Sequence, residues 1–146
     1  MSLRPEHPIS QLESSINNAI VWIQNDIEHY LKGKGKSKTM TPLGSYILFE
    51  KNGILITRFK EIVTFIGEEG LKDKAKPFLD SIEKNIKTGS DYFSTFYDRF
   101  IGIEKIRFGS KERTKEIEDL ENEIANPLIA LINKMRADLS SIKKLI

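Results

Sequence analysis

Apolar residues recur at helical spacing along most of the chain. Ile9, Leu12, Ile16, Ile20, Ile23, Ile27 and Tyr30 or Leu31 follow one another with a mean step of about 3.6 residues, which predicts a first helix from Pro8 to about Lys32. The densest pattern lies in residues 90–108, SDYFSTFYDRFIGIEKIRF, which hold six of the thirteen aromatic residues: Tyr92, Phe93, Phe96, Tyr97, Phe100 and Phe108. Positions 93, 96, 100, 103 and 107 share a stripe, while Tyr92, Tyr97, Ile101, Ile106 and Phe108 add bulk beside it. A helix that is apolar on several sides needs neighbours on several sides, so this segment is expected at the centre of a bundle, shielded from water.

The other segments are read as its neighbours. Ala75, Phe78 or Leu79, Ile82 and Ile86 predict a helix that Pro77 enters in its first turn and Gly89 closes, followed by a tight turn into the aromatic helix. Gly109 and Ser110 should end that helix and cap the last one. There Ile117, Leu120, Ile124, Leu128, Leu131, Met135, Leu139, Ile142 and Ile146 hold one face to the terminus. Pro127 should kink or break this element, since an interior proline costs roughly 3 kcal/mol. Its earlier half, densely charged with a narrow apolar stripe, is a candidate to project or to pair with a partner helix.

Residues 43–60 admit two readings. Thr41 and Pro42 could open a short helix that Asn52 and Gly53 end, followed by a stripe of Leu55, Phe59, Ile62, Val63 and Ile66; alternatively, residues 46–49 and 54–57 flank Lys51-Asn52-Gly53 as a β-hairpin. The stripe running on to Ile66 favours the helix. The expected fold is therefore all-α, a bundle of about five helices around a central aromatic helix, with a small hairpin near 46–57 as the alternative. It is read as a single domain over 1–146, with residues 1–8 as a flexible extension and 32–41 as a basic loop.

Composition narrows the function classes. The chain of 146 residues is long enough for a substantial core, and without cysteine it has no disulfide, thiolate metal site or cysteine nucleophile. No apolar run suggests a signal core or a membrane span, so an intracellular, cytoplasmic location is expected. The net charge is only +2, but residues 116–125 carry five acids and no base, leaving 23 bases against 16 acids elsewhere. Ordinary solvated helix faces explain much of this; so would contact with a polyanion or with a second protein.

The candidate sites follow from that asymmetry. Lys32, Lys34, Lys36 and Lys38 form a glycine-spaced basic run, and Lys105, Arg107, Lys111, Arg113 and Lys115 a second cluster; together they are the candidate nucleic-acid surface. Glu116, Asp119, Leu120 and Glu123 are the candidate partner-binding face, towards another protein or a second copy. His29 with Asp26 three residues before it resembles half of a di-iron carboxylate motif, but the chain has only one other histidine, His7, so no metal or cofactor is expected. An enzyme with a His29 and carboxylate centre is the least supported reading, since no phosphate-binding loop or nucleophile elbow occurs.

The stretch GILITRFKEIVTF, residues 53–65, resembles the small all-helical subunits of type III CRISPR effector complexes. It covers about a tenth of the chain and holds no diagnostic motif. The resemblance implies a nucleoprotein subunit, which stands as the alternative to a non-catalytic interaction or assembly subunit.

Overall fold

A computed structural model describes residues 3–33, 46–50 and 53–146, and every regular element among them is helical. Helix α1 (Pro8–Asn25) runs into a π-helical turn at Asp26–Leu31; α2 (Tyr46–Phe49) is a single turn; α3 (Ile54–Glu68) and the long α4 (Lys72–Glu104) follow. Helix α5 (Lys111–Leu120) passes through a second π-helical turn, Glu121–Ala125, into α6 (Asn126–Lys143). The protein is an all-α bundle in which α4 touches α2, α3, α5 and α6. Of the two readings of 43–60, the described part is helical: α2 ends, and α3 begins after Gly53. Gly53 is seated against the carbonyl end of α2, where a Cβ would lie 2.6 Å from the Ile47 oxygen. The start proposed at Thr41 falls outside the described residues.

Gly89 does not close a helix. It lies inside α4, which continues unbroken for 33 residues. A Cβ at Gly89 would stand 3.2 Å from the Phe49 ring and 3.7 Å from Leu128, so the glycine permits close approach of α2 and α6 rather than a turn. The next residue secures the same junction, because the Ser90 hydroxyl donates to the Phe49 carbonyl at 2.7 Å. Pro77 is the sixth residue of α4, beyond the first turn, at an exposed position where water can reach the carbonyl it leaves without a donor.

Pro127 does not break the helix. The preceding π-turn moves the backbone bonding by one residue, so that the Asn126 amide donates to the Glu121 carbonyl, and the chain remains helical through the proline. Ser110 caps α5 as its sequence suggests, its hydroxyl accepting from the Arg113 amide at 3.1 Å. At the other end, His7 accepts from the Ile9 amide and packs edge-on to Phe65, while Leu3 packs against the core. Both fall in the stretch expected as a flexible extension.

The aromatic half of α4 supplies the centre of the core. Phe96 and Phe100 are fully buried, Phe93 nearly so, and the rings of Phe49, Phe93, Phe96 and Phe100 follow one another at 5.1, 5.6 and 6.1 Å between centroids. Phe108 is the exception. It lies beyond the end of α4 and is 63% exposed.

Candidate functional site

The corner where α4 passes into α5 is built around one buried arginine. Arg113 lies in the first turn of α5, only 6% exposed, and its guanidinium donates to backbone carbonyls alone. Nε and Nη2 reach the Leu31 oxygen at 3.2 and 3.1 Å; Nη1 reaches Ile103 at 3.0 Å and Ile106 at 2.9 Å. Longer bonds of 3.5 Å go to Tyr30 and Glu104. These acceptors lie at or just beyond the ends of two helical segments, one ending at Leu31 and one at Glu104, and the Ile103 oxygen accepts from the Ile106 amide as well. Among the described residues no carboxylate pairs with Arg113. Two helix C-termini, each worth roughly half a negative charge, supply the balance instead. Thus Arg113, grouped by sequence with the surface cations, is a clasp between α1, α4 and α5.

Gly33 completes the corner. Its φ of +70° suits glycine, and a side chain there would run into the Phe108 ring. Phe108 also lies over the Arg113 guanidinium, 5.1 Å from its carbon to the ring centroid. A cavity of about 320 Å³ opens beside them, walled by Leu31, Lys32, Phe108, Arg113, Glu118 and Glu121 among others. Lys32 is already engaged, with Glu28 at 2.9 Å and Glu121 at 3.0 Å. The hydrogen bond with Glu28 holds its amine above the ordinary lysine range, partial burial opposes this, and Glu121 adds to it.

The remaining candidates divide by exposure. Lys105, Arg107, Lys111 and Lys115 are exposed, and among the described residues none makes an ion pair. Lys34, Lys36 and Lys38 lie outside the described residues. Of the first basic stretch, Lys32 stands with Phe108 and with Arg113 of the second in the wall of this cavity.

On the candidate partner face, Leu120 is fully buried, Glu116 and Asp119 are partly buried, and Glu123 pairs with Arg99 at 2.7 Å. Residues 111–126 do not project: Ile117, Leu120 and Ala125 belong to the core. Asp26 is buried and His29 packs edge-on to Tyr30, and no group of three or more metal-ligating side chains occurs among the described residues. A larger groove of about 740 Å³ lies between α2 and α4, walled by Tyr46, Phe49, Phe93 and Tyr97, with Glu50, Lys87 and Asp91 at its edge. Among the described residues, no helix is long and apolar enough to cross a membrane.

The exposure of Phe108 departs from the shielding expected for the aromatic segment. The clue was its position, off the main stripe and directly before Gly109, where a helix end frees a side chain from the core.

Comparison with known proteins finds no matching family model, no matching curated protein and no matching solved structure. In residues 53–65, Leu55, Phe59 and Ile62 are buried in the core. Function has to be argued from the corner itself.

Proposed function

We propose that the protein is a non-catalytic nucleic-acid-binding subunit whose contact surface is the basic corner around Lys105, Arg107, Lys111 and Lys115. The observation that carries this reading is that Lys105, Arg107, Lys111 and Lys115 are all exposed and that, among the described residues, none makes an ion pair. Phosphates attract such cations through a long-range, salt-screened field, and binding releases condensed counterions. Engagement of these four cations with a single strand implies that affinity falls by about 50-fold between 50 and 200 mM salt. A filter-binding titration at those two concentrations tests this. Affinity that is absent at low salt, or indifferent to salt, removes the reading.

A second reading, a protein-interaction or assembly subunit, is favoured by the groove between α2 and α4, where Tyr46 is 46% exposed. Light scattering and crosslinking over a concentration series test it; a strictly monomeric protein without a copurifying partner counts against it.

A further inference from the structure

We infer that Phe108 is a stacking platform for an unpaired base, so that the corner takes single-stranded nucleic acid in preference to a duplex; this rests on the nucleic-acid reading above. An isolated exposed phenylalanine is unremarkable on a protein surface. Phe108 differs in being held. Gly33 lies against the ring without a side chain, and the Arg113 guanidinium beside it is fixed by carbonyls of two helix ends. The ring is thus ordered before any ligand arrives, which lowers the entropy lost on binding, while most of its surface remains open. Exposed Lys105, Arg107 and Lys111 flank it in sequence, within reach of a backbone whose base lies on the ring.

The adjoining cavity has the complementary chemistry. Glu118 in its wall, which makes no ion pair among the described residues, repels a phosphate, but a carboxylate accepts hydrogen bonds from the amino groups of a base. Backbone on the lysine side and base on the Phe108 side is the arrangement both charges favour. A duplex, with its bases stacked and paired, offers the ring no free base face.

The test compares the full chain with Phe108→Leu and Phe108→Trp, using a labelled single-stranded 20-mer, the matched duplex and heparin, all at 50 mM salt, with circular dichroism confirming the fold of each variant. Stacking is worth about 5- to 150-fold in affinity per base, so Phe108→Leu should lose single-strand binding by that factor, Phe108→Trp should retain it, and duplex and heparin binding should be unchanged. Equal single-strand affinity of Phe108→Leu and the natural chain overturns the stacking role while leaving the polyanion surface intact. Failure of all three ligands to bind the natural chain overturns both.

Discussion

Replacing Arg113 by methionine should be among the most damaging single changes available in this protein. The substitution keeps much of the side-chain volume but removes every donor, so that the carbonyls of Leu31 and Ile106 lose bonds of 2.9 to 3.2 Å and the Ile103 carbonyl loses one of 3.0 Å while keeping its bond from the Ile106 amide. A hydrogen bond from a charged donor contributes about 1.5 to 3 kcal/mol, and these bonds share one group, so their losses do not add. Water entering the adjacent 320 Å³ cavity would rehydrate part of the site. The expected net loss is about 3 to 5 kcal/mol, a large share of the 5 to 15 kcal/mol typical of a domain. For a chain of this size that lowers the melting temperature by roughly 6 to 20 °C. Arg113→Lys retains the charge but not the planar fork, and should recover no more than about half the loss. Urea titration followed by circular dichroism at 222 nm measures both. If Arg113→Met unfolds within about 0.5 kcal/mol of the natural chain, the clasp does not hold the two helix ends, and the account of the corner is wrong.

Gly89→Val should destabilise by about 1 to 3 kcal/mol, because its methyl groups enter the contact with Phe49 and Leu128; an unchanged urea midpoint would contradict that packing. The Ser81 hydroxyl donates at 2.6 Å to Asp138, a buried carboxylate that also accepts from Lys134 at 3.0 Å. A double-mutant cycle with Ser81→Ala and Asp138→Ala should return a coupling of about 0.5 to 3 kcal/mol, and additivity would show that the pair does not link α4 to α6. For Lys32, a raised folded pKa means that its contribution is fully present below the unfolded lysine value of about 10.4 and is lost as pH rises through the higher folded value. The stability difference between the natural chain and Lys32→Met should therefore hold from pH 7 to 9 at under about 1 kcal/mol and shrink above pH 10.5; a difference that grows there would reverse the sign of the argument.

The helices were legible where periodicity had one meaning. The stripe from Ile9 to Leu31, the cap at Ser110 and the buried rings of Phe93, Phe96 and Phe100 all follow from spacing and residue type. Gly89 misled because glycine serves both a turn and a close helix crossing, and only the position of Phe49 and Leu128 tells them apart. Arg113 and Leu120 were grouped by charge and register with surface residues. Their burial depends on where α5 docks, a long-range fact that local pattern does not encode. The convergence of Gly33 with Phe108 is of the same kind, since it joins residues far apart in the chain.

The most direct test of the central claim is photocrosslinking of a single-stranded oligonucleotide carrying 5-iodouridine, with the attachment site read by peptide mass spectrometry. Attachment within residues 105–115, with Phe108 as the principal adduct, is the result expected for binding at the basic corner. Attachment at Tyr46 or Tyr97 in the groove between α2 and α4, or none under conditions where the oligonucleotide binds, would contradict it.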